Sequence, residues 1–421
     1  MAGSGKVAIL VVVIVIVAVV GYAAYAGYIP GLKFPSSTPT TSTAPNMSVV
    51  SSSDVNSSIG GSWNQVANLS FSTSNFTLLL NAAMNLSSQS STTGGISSSS
   101  FSLGADQTVG QVQSVELVDF YSNSGMIAAG YAHFKTNSSA QGLYSLIQLG
   151  VTTNASLKNN VTTGTLSSYS YFILNGTSSS SVMKTYSELV VSNYGGEIIV
   201  IYQISSSSIS TSNMLSLLSK EFFILKTYGP KTNGAPLIVS RSTVNSDLGL
   251  SLNNSFKIGA YVNSPFLLSK QVNFTSNLSS GSSTVGTLNL TTKTTLNASL
   301  SPEMFQSAIY FKGNTSLFGA AVVKFGNNTV ASDLYTNVTK SIVAAEGSIN
   351  LSLTTHLHWV NTSGYVYFNY SYVNVSSGLT ETIYLAFGHA GGYIYALGYV
   401  GTIGVTNTQF TNLVKAQANL L

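Results

Sequence analysis

An internal repeat constrains this chain most, because a duplicated segment has to fold twice into the same arrangement. Residues 120–144 align with residues 311–335 at an offset of 191, and residues 169–199 align with residues 365–395 at an offset of 196. The two blocks occur in the same order, so we interpret them as two copies of one module. The identical pairs include Phe120/Phe311, Asn123/Asn314, Ala129/Ala320, Phe134/Phe325, Asn137/Asn328, Ala140/Ala331, Leu143/Leu334, Tyr144/Tyr335, Tyr169/Tyr365, Tyr171/Tyr367, Phe172/Phe368, Leu189/Leu385, Gly195/Gly391, Gly196/Gly392 and Ile198/Ile394.

The same succession of patterns occurs in both copies. An apolar, β-capable run is followed by a helical pattern, an aromatic strand, a hairpin with paired glycines and a final helix. Paired glycines supply the positive φ that tight hairpin turns need. This order predicts an α+β fold, in which each module is an antiparallel sheet with helices packed on one face. In chain order the segments are 126–135, 140–149, 168–174, 186–204 and 212–225 in the first copy, and 317–325, 330–345, 364–373, 382–400 and 407–421 in the second.

The N-terminal part contains 22 residues without a charge, residues 7–28. At about 1.5 Å per residue, such a helix spans a hydrocarbon core of roughly 30 Å. Lys6 precedes it, which favours a cytoplasmic N-terminus. We therefore predict a transmembrane signal-anchor helix and a single-pass protein of the cell membrane with extracellular C-terminal domains. A signal peptide cleaved after Ala26 and a pilin-like helix processed near Lys6 stay open as alternatives.

Composition shifts predict where the remaining segments begin and end. The stretch rich in Ser, Thr and Pro after the apolar helix is typical of an extended stalk. A segment with two Pro and two Gly separates the copies and is typical of a linker. The predicted organisation is residues 1–6 as cytoplasmic N-terminus, 7–28 as transmembrane helix, 29–61 as stalk, 62–226 as module 1, 227–240 as linker and 241–421 as module 2, a repeat of module 1.

Charged residues are scarce. The chain has 16 basic and 12 acidic side chains, 7% of 421 residues, against about 25% in an ordinary soluble domain. Intrinsic disorder is disfavoured because 44% of the residues are hydrophobic. Nucleic-acid binding is disfavoured because the bases are scattered and Arg241 is the single arginine. The absence of Cys excludes disulfides, thiolate metal sites and a Cys nucleophile.

N-glycosylation sequons are unusually frequent. The chain has 21 Asn-x-Ser/Thr motifs, whereas its Ser and Thr content predicts roughly ten by chance. The motif marks exposed segments of an exported protein. One of them, Asn369, lies in an aromatic strand and is not taken as an acceptor. The predicted acceptors are Asn46, Asn56, Asn68, Asn75, Asn85, Asn137, Asn154, Asn160, Asn175, Asn253, Asn273, Asn277, Asn289, Asn297, Asn314, Asn327, Asn337, Asn350, Asn361 and Asn374.

No side chain is predicted to be catalytic, cofactor-binding or metal-binding. His356 and His358 alternate on one strand and His389 lies in a turn, but no acidic ligand is near them in the sequence. Glu116 and Asp119 are expected on opposite strand faces, so they do not form a paired acid and base.

The aromatic strand at residues 365–372 admits two interpretations: a platform that stacks sugars, or a strand with aromatic residues on both faces. The second is the commoner arrangement in proteins.

The scarcity of acids suggests a habitat. A carboxylate in a native ion pair loses its contribution to stability below its pKa. A fold with few acids, covered by hydroxyls, amides and glycans, is expected to be nearly indifferent to pH. We therefore hypothesise an acidic habitat, which a sharp loss of folded signal between about pH 7 and pH 2 would contradict.

Together, the apolar N-terminal segment, stalk, sparse charge, missing Cys and dense sequons resemble cell-surface glycoproteins of acidophilic archaea, such as surface-layer and filament components. The resemblance is one of composition over the whole chain, with no motif matched residue by residue. It implies a structural or interaction role in the envelope, with the membrane, other envelope proteins or further copies as partners, N-linked glycans, and no cofactor. A membrane-tethered binding module for sugar, peptide or protein is the alternative, and an enzyme is the least favoured class.

Overall fold

The structure is a computed structural model. It describes residues 48–74, 111–154, 157–179, 184–232, 234–262, 274–278, 288–292, 302–312, 316–346, 358–362, 364–373 and 380–421. The chain divides into two compact units. Unit 1 runs to Gly234 and includes Ala260–Asn263, and unit 2 comprises Ala235–Gly259 and Ser264–Leu421.

Unit 1 is built on an antiparallel sheet with the strand order β1-β2-β3-β7-β6-β5-β4. A short 3₁₀ turn, Lys158–Asn160, precedes the edge strand. Its elements are helix α1 (Ser52–Ile59), β1 (Asn64–Thr73), β2 (Val112–Ser122), β3 (Gly125–Phe134), helix α2 (Asn137–Thr153), β4 (Val161–Leu166), β5 (Tyr169–Ser179), β6 (Lys184–Tyr194), β7 (Glu197–Ser205) and helix α3 (Thr211–Tyr228).

Unit 2 has the corresponding strand order, β8-β11-β12-β16-β15-β14-β13. Strands β9 and β10 pair with each other in a separate two-stranded sheet. The elements are helix α4 (Arg241–Leu248), β8 (Asn254–Val262), β9 (Phe274–Leu278), β10 (Leu288–Thr292), β11 (Pro302–Lys312), β12 (Ser316–Phe325), helix α5 (Asn328–Glu346), β13 (His358–Thr362), β14 (Tyr365–Val373), β15 (Thr380–Ala390), β16 (Tyr393–Gly401) and helix α6 (Asn407–Ala418).

Helices cover both faces of the sheet in unit 1. Successive residues of a strand point to opposite faces. On β7, Ile199 and Ile201 belong to the core under α3, whereas Ile198 and Val200 belong to the core under α2. The central strand is therefore buried on both sides.

Unit 2 repeats this layering. On β16, Tyr395, Leu397 and Tyr399 join the core that includes Phe410 of α6. On the opposite face, Ile394 packs in a smaller cluster with residues of β12 and α5. Both units thus place a sheet between helices.

The predicted fold class is therefore wrong. The described residues are mainly antiparallel β-sheet, with sixteen strands and six α-helices, and in neither unit do the helices occupy one face only. The physical reason lies in the central strands. A strand covered on both faces is a nearly continuous apolar run, which is what residues 197–204 are.

The predicted transmembrane helix, residues 7–28, lies outside the described residues. Within the described ranges, no helix has the length and apolar character needed to cross a membrane. These helices mix apolar and polar residues, whereas a span needs about 20 mostly apolar residues in a row. The predictions of an N-terminal membrane helix and of a single-pass membrane location are therefore not supported by the structure and are withdrawn.

Two segments expected to be outside the modules belong to their cores. Residues 48–59 of the expected stalk contain α1, and Val50 and Val55 are buried in unit 1. Ala235, Ile238 and Val239 of the expected linker are buried in unit 2. These short apolar groups are hidden in Ser- and Pro-rich sequence, which is why composition missed them. The other predicted domain boundaries stay predictions.

Several of the repeated residues meet at one corner of each unit. The backbone N–H of Phe134 donates to the Gly196 carbonyl at 2.8 Å, and that of Phe325 donates to the Gly392 carbonyl at 2.9 Å. A Cβ at Gly392 would lie 2.8 Å from Oδ1 of Asn328. A glycine lets the hairpin end approach the start of the helix closely, so the identical positions have a common packing cause.

Two glycines of unit 2 allow backbone strain to be tested separately from packing. A Cβ at Gly391 or at Gly319 would meet no atom within 4 Å, but Gly391 has φ +55° whereas Gly319 lies in a strand. We expect Gly391→Ala to lower the free energy of unfolding by about 1–2 kcal/mol, since an L-residue is strained at positive φ. Gly319→Ala should leave it unchanged or slightly higher. Urea unfolding of the two variants measures this, and equal stabilities would contradict the assignment of the turn.

Candidate functional site

In each unit the first described helix is preceded by a short segment that we call the strap, residues 48–51 in unit 1 and residues 237–240 in unit 2. Each strap leads into a helix, and its last residue, Ser51 or Ser240, caps that helix by accepting a backbone N–H three residues on. Val50 and Val239 are 2% and 1% exposed. The straps are therefore parts of the cores, and their backbone N–H groups need partners inside the protein.

In unit 1 the partners are carboxyl groups. The N–H of Val50 donates to Oε2 of Glu221 at 2.9 Å, and the N–H of Ser48 donates to Oε2 of Glu116 at 3.2 Å. Glu221 comes from α3 and is fully buried, and Glu116 comes from β2 and is 4% exposed. Two buried acids thus hold one strap.

In unit 2 the partners are amides. The N–H of Val239 donates to Oε1 of Gln417 at 3.0 Å, and the N–H of Leu237 donates to Oε1 of Gln306 at 2.8 Å. The Gln417 amide also donates from Nε2 to the Leu237 carbonyl at 2.7 Å. The same two main-chain positions are therefore bound by neutral groups.

The two pairs are equivalent positions of the repeat. Gln417 follows Glu221 at the offset of 196. Glu116 lies opposite Tyr131, and Gln306 lies opposite Val322, the counterpart of Tyr131 at the offset of 191. The offset of 191 would match Glu116 to Ser307, so it is wrong by one position on this strand.

The cause of that difference is the number of residues that connect the two strands. Two residues separate Ser122 from Gly125 in unit 1, but three separate Lys312 from Ser316 in unit 2. The offset therefore changes by one between the two strands of the hairpin. Glu221, Gln306 and Gln417 were not recognised from the sequence at all, although the spacing of Glu221 and Gln417 carries the signal.

Burial raises the pKa values of Glu116 and Glu221, the two acids that bind the strap, and so favours their neutral forms. Desolvation raises the pKa of Glu221 to about 8, the Val50 N–H opposes this, and the charges of Glu116 and Asp54 add to it. Burial also raises the pKa of Glu116, while hydrogen bonds from the Ser48 N–H and the Tyr131 hydroxyl and the charge of Lys231 act against it. Within the described part of the chain, Oε1 of Glu221 has no hydrogen-bond partner.

Two other carboxyls of unit 1 have raised pKa values. Burial raises the pKa of Asp119 to about 7. Burial also raises the pKa of Glu188, and a hydrogen bond from the Thr211 hydroxyl opposes the shift. Because strand neighbours alternate, Glu116 points to the α3 side with Val118, while Asp119 points to the other face. These two acids do not converge on one site.

Among the described residues, the histidines that were considered as metal ligands do not come together in one site. His356 lies outside the described residues. His358 starts β13 opposite Asn369, whereas the ring of His389 stacks on Tyr335 with centroids 4.5 Å apart. Over the ranges that the structure covers, no group of three or more His and acidic residues is arranged to hold a metal ion.

The aromatic strand is a core element. Tyr367 is 4% exposed and its ring centre lies 6.1 Å from that of Phe410. Tyr365 is half-buried and stacks beside Tyr367 at 6.4 Å. These two rings pack under α6 and are not an open surface for sugars.

An apolar groove of about 460 Å³ lies on the other face of the unit 2 sheet. Small residues create it, since Gly319 on β12 lies opposite Gly398 on β16. In unit 1 the position of Gly398 is occupied by Tyr202, which lies opposite Ala128. The lining is Ser307, Ile309, Gly319, Ala320, Ala321, Val366, Leu385, Ala386, Phe387, Ala396, Leu397 and Gly398.

The structure describes the surroundings of nine sequon asparagines. Asn56 is half-buried, and its Oδ1 accepts from the Trp63 N–H at 2.7 Å. Asn68 is buried, 7% exposed. Asn369 is half-buried and its Nδ2 donates to Asn407 at 3.1 Å. The exposed ones are Asn137, Asn154, Asn160, Asn175, Asn253 and Asn327.

The side-chain surroundings of the remaining predicted acceptors are outside the described residues. These are Asn46, Asn75, Asn85, Asn273, Asn277, Asn289, Asn297, Asn314, Asn337, Asn350, Asn361 and Asn374.

Comparisons with known proteins identify no family. No family model matches the chain, and no curated protein matches it. Among solved structures, the extracellular domain of PknH from Mycobacterium tuberculosis is similar at 12% identity, covering 45% of this chain and 98% of that one, with a TM-score of 0.25. TP0453 is similar at 9% identity, covering 87% of this chain and 98% of that one, with a TM-score of 0.29 in one crystal form. Scores this low carry no argument about fold or function.

Site-resolved glycan mapping of the native protein tests the sequon assignment. We expect glycans on the exposed sequons, including Asn175 and Asn327, because a transferred sugar requires an accessible side-chain amide. We expect none on Asn68, which is buried, or on Asn369, whose amide donates a hydrogen bond. A glycan on Asn68, or bare asparagines at all six exposed sites, would contradict the assignment.

Proposed function

We propose that this chain is an exported, N-glycosylated protein with a structural or interaction role in the cell envelope, as a component of a surface layer, a filament or an adhesive surface. The observation that carries the proposal is the excess of sequons, with exposed asparagines at most of the described ones. Glycans at such positions would supply the solubility that charged side chains supply in ordinary proteins.

The architecture supports a role in contacts more than in chemistry. Two units with the same strand order offer two similar surfaces on one chain, which suits repeated contacts between copies. Glu116 and Glu221 are bound to main-chain N–H groups of the strap in unit 1, so they have a structural task. An enzyme therefore stays the least favoured class.

A second candidate function is the binding of an apolar group, and the groove on unit 2 favours it. Its lining is aliphatic and small, with Ser307 as a polar member and Phe387 as an aromatic one. Sugar sites usually present aromatic faces and several polar groups. The groove is therefore better suited to an aliphatic chain or an apolar side chain than to a sugar.

Imaging of intact envelopes, combined with the intact mass of the native protein, tests the first proposal. The structural role predicts repeated contacts between copies in a lattice or filament, and a mass above that of the unmodified chain by many glycans. Dispersed single molecules with the mass of the bare polypeptide would contradict it.

The groove can be filled with the residue that unit 1 uses. We expect Gly398→Tyr to abolish binding of a fluorescent probe with a dodecyl chain, because the ring would occupy the space as Tyr202 does in unit 1. Thr408→Tyr, at an exposed position of α6, should bind the probe as the unchanged protein does. Thermal unfolding checks that both variants are folded. Equal binding by the two variants, or none by the unchanged protein, would remove the groove as a ligand site.

A further inference from the structure

We infer that the strap of unit 1 is a pH-operated latch, closed while Glu116 and Glu221 are neutral and released when they ionise, whereas the strap of unit 2 stays closed over the same range. The inference concerns the two equivalent pairs of acceptors, Glu116 with Glu221 and Gln306 with Gln417. It does not depend on the proposed function.

The amide pair of unit 2 shows which form of the acceptor the site fits. A glutamine is close in shape to a protonated glutamate, and both present one carbonyl oxygen and no charge. Gln417 and Gln306 accept the two strap N–H groups at 3.0 and 2.8 Å. The corresponding distances to Glu221 and Glu116 are 2.9 and 3.2 Å. The repeated architecture is therefore complete with neutral acceptors.

Ionisation puts two negative charges into a poorly compensated core. The charged or titratable groups that face the pair are Tyr131 on β3, Asp54 on α1 and Lys231 after α3. Lys231 is the one cation among them. Its backbone N–H donates to the Tyr131 hydroxyl at 2.7 Å. Lys220 on α3 is half-buried, and its amine lies 3.9 Å from the Asp54 carboxylate. A buried carboxylate without a paired cation is strongly destabilising.

The direction of the pH effect follows from the pKa shifts. The pKa of Glu221 is raised from 4.5 to about 8 when the strap is closed, and that of Glu116 is also raised. A raised pKa in the closed form means that its stability is fully present below the value of the open form. That stability is lost as pH rises through the value of the closed form. The latch is therefore closed in acid and released towards mildly alkaline pH.

Release would detach a defined piece of unit 1. Val49, Val50 and Val55 lie in the core with Phe222 and Leu225 of α3. Helix α1 also contacts α3 through polar groups, where Ser216 donates to Ser58 at 3.3 Å and the Lys220 amine donates to the Asp54 carbonyl at 3.1 Å. Opening would expose the apolar surface of α3 that these residues cover, while unit 2 would keep its own strap in place.

Hydrogen exchange on the full chain, read by mass spectrometry as protection factors, compares the two straps within one molecule. We expect the peptide that contains Val50 and the peptide that contains Val239 to be equally well protected from exchange at about pH 5. By about pH 8 the protection at Val50 should fall at least tenfold relative to Val239, since the equilibrium shifts about tenfold per pH unit between the two pKa values. Equal protection of the two straps at both pH values would overturn the inference. This comparison needs no variant.

Reciprocal substitutions test the cause. Glu116→Gln with Glu221→Gln should make the protection at Val50 independent of pH. Gln306→Glu with Gln417→Glu should confer the pH-dependent loss on Val239. If the variant with both Glu116→Gln and Glu221→Gln still loses protection at Val50 at about pH 8, ionisation of the pair is not the cause. If acids in unit 2 leave the protection at Val239 unchanged at both pH values, the site tolerates the charged form and the inference fails.

Discussion

In each unit, helices cover both faces of the sheet, and the rest of the structure depends on this burial. The chain achieves it with very few charged residues. Because helices pack on both faces, the chain segments between helix and sheet are buried. Each backbone N–H group in such a segment therefore needs an acceptor inside the protein. In both units the segment before the first helix meets this need through two long polar side chains, one from a strand and one from the last helix. In each unit, these hydrogen bonds join the strap to one strand of the sheet and to the last helix.

The copies differ in charge at this point, and that difference changes the expectation drawn from composition. The sequence suggests a fold that is nearly indifferent to pH because acids are rare. Burial, however, raises the pKa values of four acids of unit 1, namely Glu116, Asp119, Glu188 and Glu221. Such groups contribute stability in acid and lose it as pH rises. Unit 1 is therefore expected to be more stable at low pH, whereas the acidic habitat itself stays a hypothesis.

The sequence predicts the order of strands and helices well where a pattern is local. The paired glycines at 195–196 and 391–392 mark two hairpin turns, and apolar periodicity marks α2 and α5. The layering could not be predicted by the same means, because the second face of β7 is covered by α2, which lies more than 40 residues before it in the sequence. The nearly continuous apolar run at residues 197–204 does indicate a strand that is buried on both faces. The prediction did not draw on it. The straps were missed because two or three apolar residues in a Ser-rich stretch resemble a linker. Gln306 was missed because one additional residue between β11 and β12 changes the offset of the repeat.

The central claim is that unit 1 is built around neutral carboxyl groups. The most direct measurement is the free energy of unfolding of the full chain by urea between about pH 3 and pH 9. We expect this free energy to be highest at the acidic end and to fall as pH rises through the pKa values of two buried acids, about 7 for Asp119 and about 8 for Glu221. A free energy of unfolding that increases from acid to neutral pH would contradict it.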